Sequence, residues 1–434
     1  MASQHDTRKR DADAGTAPAA EAAAGRAPAP AEVGRQSILH QPPAVWAITF
    51  ACVVSYMGIG LVDPILPTIA EALEASPGQT ELLFTSYLFI TALVMFFSAW
   101  VSSRFGVKRT LLAGLALIVI FAAACSAASG VEQIIGFRAG WGLGNALFVS
   151  TALAAIVAST AESAMAVVLY EAAVGLGFAI GPMLGGLLGE VSWRGPFAGT
   201  AVLMGLGIIS VAVFFRGGAA PARVRPLDGV RGAGHPAMRP LAAGALFYNF
   251  AFFTILAYSP FPLAKAAAAA GTEFTPLDLG YVFFGWGLAL ALSSVFLAPR
   301  LEAAFRLTHI IPAAMIALAA DLVVLGAFVE DLGVLIGAII AAGVILGVMN
   351  TLLTTASMST TPLPRPVASS AYSGVRFIGS ALAPTLVGPL EHLGLAAPFH
   401  AGLVAALIAL VILTGWCLRR DRAAAARERV ELRP

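Results

Sequence analysis

Charge is scarce in this sequence. Only 12% of its 434 residues are Asp, Glu, Lys or Arg, against about a quarter in soluble globular proteins. With 59% hydrophobic residues and a mean hydropathy of +0.85, the composition excludes an ordinary soluble domain. Cysteine is nearly missing too. Cys52, Cys125 and Cys417 lie in or at the edge of apolar runs, with neither metal-ligand spacing nor a disulfide framework. The six histidines are scattered, mostly through loops and tails. No Walker loop, nucleophile elbow or zinc pattern is present, so direct ATP drive lacks support and a membrane-embedded enzyme lacks a catalytic constellation. No cofactor and no metal are expected. The formal charge of +2 says little about partners, because the positions of the charges matter more than their sum.

What the chain has in abundance is apolar runs near the ~20 residues that cross a bilayer as helix. Twelve spans are predicted: Val45–Leu66, Glu81–Val101, Leu111–Ala128, Ile134–Val157, Ala164–Leu188 and Phe197–Phe215, then Leu241–Leu263, Leu279–Leu297, Ile310–Phe328, Leu332–Leu353, Val367–Leu386 and Phe399–Leu418. The seventh is the least clean, because Pro260 and Pro262 fall in its second half. The 44 glycines and 26 prolines suit transmembrane bundles, where both are more frequent than in soluble helices.

The polar remainder gives the organisation. Residues 1–41 are polar and then Ala-, Pro- and Gly-rich, and read as a disordered tail rather than a signal peptide. Residues 42–215 hold the first six spans, 216–240 form an Arg-rich linker, 241–418 hold the second six, and 419–434 form a second tail. With the N-terminus inside, all but four of the 26 Lys and Arg residues fall in the inner loops and tails; the exceptions are Arg138, Arg194, Lys265 and Arg376. That asymmetry predicts cytoplasmic termini and an even number of spans.

The two halves echo each other. In the fifth span, Gly177-Phe-Ala-Ile-Gly181-Pro182-Met-Leu-Gly185-Gly186 puts Gly177, Gly181 and Gly185 on one helix face, a smooth stripe that another helix can approach closely. Pro182 removes a backbone donor from the same segment. In the eleventh span, Gly379-Ser-Ala-Leu-Ala383-Pro384 keeps the small–three–small–Pro spacing. Gly142-Leu-Gly-Asn145 in the fourth span is likewise echoed by Gly347-Val-Met-Asn350 in the tenth. Two parallel-related six-helix bundles with a cavity between them are a known transporter design.

At these residues the chain resembles the major facilitator superfamily and, within it, the twelve-span drug:proton antiporters, over roughly residues 44–418. The family's loop after the second span, G-x-L-x-D-R-x-G-R-R/K, is matched in part: Arg104, Gly106 and Lys108 agree, while Ala99 replaces the first Gly and Ser103 the acidic residue. In the family that acidic residue helps latch the halves together on the cytoplasmic side, which Ser103 cannot do by charge. Arg138-Ala-Gly-Trp141-Gly142-Leu-Gly144 matches the fourth-span arginine pattern. The fifth-span antiporter pattern is complete in Gly177, Gly181, Pro182, Gly185 and Gly186. Trp193-Arg194-Gly-Pro-Phe197 is similar to the family's W-R-x-x-F before the sixth span.

The resemblance implies an all-α polytopic protein of the bacterial plasma (inner) membrane. It implies proton-coupled efflux of small amphiphilic or drug-like molecules by alternating access. The partners would be a small-molecule substrate, protons and the lipid bilayer, with no nucleic acid, and the protein would act as a monomer. A proton-coupled importer or a dedicated metabolite exporter of the same fold is the alternative; a non-transporting receptor or scaffold is the alternative of another class.

A few in-span charges are the candidate site. Asp63, in Gly60-Leu-Val-Asp63-Pro64, is either a proton carrier or a site for a cationic substrate, or else a helix-end residue that meets water; an intramembrane carboxylate is costly unless it faces a cavity or is paired. Arg138 either tunes a nearby carboxylate, as the resemblance implies, or snorkels outward. Glu171 either exchanges protons or pairs with a substrate cation, or else sits at the cytoplasmic mouth in water; Tyr170 and Tyr87 are candidate hydrogen-bond neighbours. Asp321, mid-span, is either a coupling or gating carboxylate or a neutral packed one. Asn145, Asn249 and Asn350 are cavity-lining or cross-helix groups. Arg376 is expected to pair with a carboxylate of the second half. Aromatics between Phe247 and Trp286 in the seventh and eighth spans form either a substrate wall or ordinary packing.

Overall fold

A computed structural model of the chain describes residues 41–61, 65–160, 163–217 and 223–431. The first forty residues of the N-terminal tail, Asp63 and part of the linker lie outside these. The helices all belong to one unit, Pro42–Pro434.

Lipid offers the backbone no hydrogen-bond partners, so an apolar chain of this length must satisfy its amides within helices. The first half comprises α1 (Pro43–Gly60), the short α2 (Leu66–Ala72), α3 (Pro77–Phe105), α4 (Val107–Ser126), α5 (Val131–Ser159), α6 (Ser163–Val191) and α7 (Gly195–Phe214). A short linker helix comes next, α8 (Asp228–Gly234). The second half comprises α9 (Arg239–Tyr258), α10 (Pro260–Ala269), α11 (Pro276–Leu292), α12 (Ala298–Ala304), α13 (Leu307–Ala327), α14 (Leu332–Ser359), α15 (Arg365–Val387) and α16 (Ala397–Glu431). α9 with α10, and α11 with α12, each make one span.

Among the described residues, 11 helical stretches are long and apolar enough to cross a membrane. The twelfth, α15, has 23 residues but carries Ser369, Ser370, Ser373, Ser380 and Arg376, all buried. It is the serine-rich span of the bundle, and most of its residues are buried among its partners. The seventh span is longer than predicted, running Arg239–Ala269. Pro260 stands at the start of α10, where the missing amide hydrogen would have no partner anyway. A π-turn, Ser293–Leu297, joins α11 to α12. The last helix also continues past Leu418 to Glu431, into the stretch expected to be a tail; its Ala, Arg and Glu residues are strong helix formers.

The internal repeat extends to packing. α1 packs on α6 and α7, α3 on α5, and α4 on α5 and α7. In the second half α9 packs on α15 and α16, α11 on α14, and α13 on α14 and α16. Position by position these are the same pairs, six spans on. The starts of the second and eighth spans match too. Ser76 and Gln79 form a reciprocal capping box on α3, and Thr275 and Asp278 form one on α11, each with Pro at the first helical position. Such a cap is worth about 1 kcal/mol.

The glycine stripe of α6 meets α1. A Cβ on Gly177 would lie 2.6 Å from the Val53 carbonyl oxygen, and one on Gly181 2.6 Å from that of Met57. One on Gly185 would strike the Leu61 carbonyl. Pro182 stays inside a continuous α6 and packs where a Cβ on Gly60 would be. The echo holds in the second half, where Gly379 faces the Leu246 carbonyl of α9. The other face of α6 meets the other half: Gly175 lies against Ala291, Ala179 against Gly287, and Gly186 against Pro276 and Leu277. Two seams therefore join the halves, α6 with α11 and, as its counterpart, α3 with α15. α4, α7, α13 and α16 stay outside them. Val202 (66% exposed) on α7 and Val411 (73%) on α16 show how far these helices present apolar side chains outward.

Candidate functional site

α6 carries Glu171 one and a half turns before Gly177. The same tight seam that brings α6 against the second half drives this side chain into it. Glu171 is fully buried. Its Oε1 accepts a hydrogen bond from Thr354 Oγ1 of α14 at 2.7 Å and lies 3.5 Å from Arg376 Nη1 of α15. Arg376 is itself 5% exposed. Two side chains of the second half thus converge on one carboxylate oxygen of the first. The expectation that Arg376 pairs within the second half is corrected by this geometry. Span order in the sequence cannot reveal which bundle faces a side chain. Glu171 is likewise not a residue of a water-filled mouth, since the seam closes around it.

The surroundings of the pair are polar and buried. Tyr170, beside Glu171, shares a hydrogen bond with Tyr56 of α1 at 2.5 Å between hydroxyls. Asn249 Nδ2 of α9 donates to the Arg376 carbonyl at 3.0 Å and also to Ser380. That contact ties α9 to α15 and holds the backbone of the arginine. Removing two charges from water costs several kcal/mol per ion. Their contact and the Thr354 hydrogen bond offset that cost only while the halves meet, so the pair is sensitive to any motion that parts them.

An aromatic cluster crosses the same seam. Phe178 of α6 packs on Phe252 and Phe253 of α9 at 5.9 and 6.3 Å between ring centres, and on Trp286 of α11 at 5.8 Å. Tyr56 joins from α1 at 5.6 Å and Phe84 from α3 at 6.5 Å to Phe253. Phe252, Phe253 and Trp286 are therefore between the halves rather than against lipid.

Arg138 is a separate centre inside the first half. It is fully buried. Its Nε–H donates to the Leu83 carbonyl, and its guanidinium lies over Tyr87 at 5.0 Å and Trp141 at 5.5 Å. Such contacts are worth about 2 kcal/mol when desolvated, and they hold the side chain inward instead of letting it snorkel. Tyr87 thus belongs with Arg138, and Tyr170 with Tyr56.

Asn145 and Asn350 play matching parts. Asn145 Oδ1 accepts from Ser55 of α1 at 2.6 Å, and Asn350 Oδ1 from Tyr248 of α9 at 3.1 Å. Each is a cross-helix tie from the fourth span of its half to the first. Asp321 is buried, with one carboxylate oxygen lacking a hydrogen-bond partner among the described residues. Its helix packs on α14 and α16, so the structure does not bring it to the Glu171–Arg376 pair.

The loop after the second span turns tightly between α3 and α4. Gly106 has φ of +89°, a backbone turn that suits glycine between α3 and α4. Lys108 Nζ donates to the Ala212 carbonyl of α7 at 2.8 Å, a contact within the first half. Arg104 is exposed at the end of α3. Ser103 accepts a hydrogen bond from the Val224 amide of the linker at 3.3 Å. Sequence reasoning missed Thr354, Tyr56 and the serines of α15. The scarcity of apolar residues in α15 was the available signal.

A sequence model of the Major Facilitator Superfamily matches residues 48–384. The chain is 47% identical over 382 residues to "Multidrug efflux protein YfmO" of Bacillus subtilis (strain 168), covering 87% of this chain and 94% of that protein. It is 27% identical over 153 residues to "Putative multidrug resistance protein MdtD" of Klebsiella pneumoniae (strain 342), covering 35% of this chain and 32% of that one. Among solved structures, the human organic anion transporter MFSD10 (TETRAN) superposes with a TM-score of 0.69 at 15% identity, over 86% of this chain and 99% of that one; at that identity the likeness concerns the fold. Two six-span halves with matching contacts, a glycine-lined seam and a match over most of the chain lead to one conclusion: this protein belongs to the Major Facilitator Superfamily.

Proposed function

We propose that the protein exports small amphiphilic or drug-like molecules across the bacterial plasma membrane by alternating access, driven by proton entry. The observation that carries the reading is the buried Glu171–Arg376 contact between the halves. A carboxylate held by an arginine across a moving seam can exchange a proton or a substrate for that arginine when the seam opens. The relative named as a multidrug efflux protein supports export. The aromatic cluster around Phe178, Phe252 and Trp286 supplies an apolar surface at the same seam, suited to the apolar part of an amphiphile.

In this reading the linker and both termini are cytoplasmic, as the distribution of Arg and Lys favours. Asp63, Arg138 and Asp321 are assigned supporting roles in proton or substrate handling, and Asn145, Asn249 and Asn350 hold the helices that line the path. The protein acts as a monomer, without a cofactor.

The test is a substrate screen with the purified protein in liposomes under an imposed pH gradient. Export of a lipophilic dye or drug that collapses with the gradient is expected, and Glu171→Gln and Asp63→Asn each abolish it while leaving membrane insertion intact. Uptake in the opposite direction would support the importer instead, and substrate-independent silence would leave a receptor or scaffold.

A further inference from the structure

On the side of the linker, the halves meet through hydroxyls. Ser150 of α5 donates to Ser98 of α3, and Ser98 lies 3.4 Å from Ser370 of α15. Ser370 also donates to the Met95 carbonyl of α3, and Ser369 to the Ser150 carbonyl at 2.8 Å. All four serines are buried. Arg365, at the start of α15, donates to the Val157 carbonyl near the end of α5 at 3.2 Å.

The linker helix α8 lies on this cluster. A Cβ on Gly229 would strike the Phe96 carbonyl of α3 and come within 2.9 Å of Ser370 Oγ. A Cβ on Gly232 would lie 3.0 Å from Val367 and 3.3 Å from Ala371, both on α15. Just upstream, the Val224 amide donates to Ser103 at the end of α3. The helix therefore touches one helix of each half at once, with a glycine face that fits because it has no side chains.

We propose that α8 and the serine cluster form a clasp: the linker helix docks across α3 and α15 only while this side is shut, and must leave that groove for the side to open. The groove exists only while Phe96 of α3 and Ser370 of α15 both border Gly229. If the halves rock apart, α8 can follow one of them but not both. The serines satisfy one another in the closed state and meet water in the open one, so each hydrogen bond favours closure only modestly and the clasp is reversible. The tether keeps α8 at high effective concentration beside its groove, so a weak contact is enough to close it again. In this protein the linker thus takes over the task that an acidic residue would perform at Ser103. The inference rests on the alternating-access reading, and its test does not need a transported substrate.

The test uses the full-length protein in lipid, with spin labels on Arg109→Cys and Arg306→Cys. Both positions are exposed, Arg109 in the first turn of α4 and Arg306 just before α13, the equivalent places in the two halves. Pulsed electron resonance on the parent is expected to give a dominant short distance. Gly229→Val, which cannot dock against the Phe96 backbone, should raise the population of a longer distance at least about fivefold. The double variant Ser98→Ala/Ser370→Ala removes hydroxyls without adding volume and should shift it the same way, by roughly fivefold for each lost hydrogen bond at about 1 kcal/mol apiece. An unchanged distance distribution in folded Gly229→Val overturns the clasp. Should Gly229→Val misfold, an unchanged distribution in the serine double variant overturns it equally. A protein that shifts its distances yet exports nothing retains the clasp and loses the export reading; one that exports with unshifted distances does the reverse.

Discussion

Glu171 and Arg376, 205 residues apart in the chain, face each other at 3.5 Å in the buried seam between the two halves. The contact links a helix of the first bundle to the serine-rich span of the second. It places two opposite charges, both buried, in a seam otherwise packed largely from glycines and aromatic rings.

Removing one partner should cost more than removing both. Arg376→Ala leaves Glu171 buried with no opposite charge, a loss of about 3–5 kcal/mol for a broken buried pair. The double variant Glu171→Gln/Arg376→Gln replaces the charges with neutral hydrogen-bonding groups and should recover most of that stability while remaining inactive in transport. Thermal unfolding in detergent, followed beside a pH-gradient transport assay, separates the two effects.

The glycine stripe should tolerate no side chain. Gly181→Val places a branched side chain where the Met57 carbonyl oxygen is 2.6 Å from the first added carbon, and overpacking of this kind costs about 1–3 kcal/mol. Gly136→Ala and Gly205→Ala, at positions where a Cβ would meet nothing within 4 Å, should leave stability unchanged. Folded yield and unfolding temperature of the three variants provide the comparison.

The two asparagine ties should differ in strength despite their matching positions. Asn145→Ala takes away the acceptor that Ser55 uses at 2.6 Å, a loss of about 1–3 kcal/mol if the buried hydroxyl stays unpaired. Asn350→Ala should cost less, because the Tyr248 hydroxyl keeps the Leu346 carbonyl at 3.0 Å. Denaturation of the two single variants tests the order.

Arg138→Lys should not rescue what Arg138→Ala loses. A lysine has no planar guanidinium to lie over Tyr87 and Trp141 and no Nε–H for the Leu83 carbonyl. Both variants should fall well below the parent in transport. Equal activity of Arg138→Lys and the parent would assign the position a bare positive charge and nothing more.

Much of this architecture was written in composition and spacing. A chain this poor in charge has to satisfy its backbone within helices in lipid, so the spans could be counted from apolar run lengths. The duplication was visible in the glycine strings because tight helix approach requires small residues at fixed helical intervals. The eleventh span, α15, is legible in the same way despite its serines. What spacing could not convey is which faces meet. The cost of a bare charge in lipid keeps Glu171 and Arg376 off the outer faces, but each bundle has several inward faces, and only the docking of one bundle on the other chooses between them. For the same reason Asp321, the most central carboxylate by counting along its span, lies on a helix away from the pair. Thr354 and the clasp serines were silent in the sequence because a hydroxyl in a membrane helix can always bond to its own backbone; only the tertiary structure, by bringing a second helix within reach, turns it into a contact between halves.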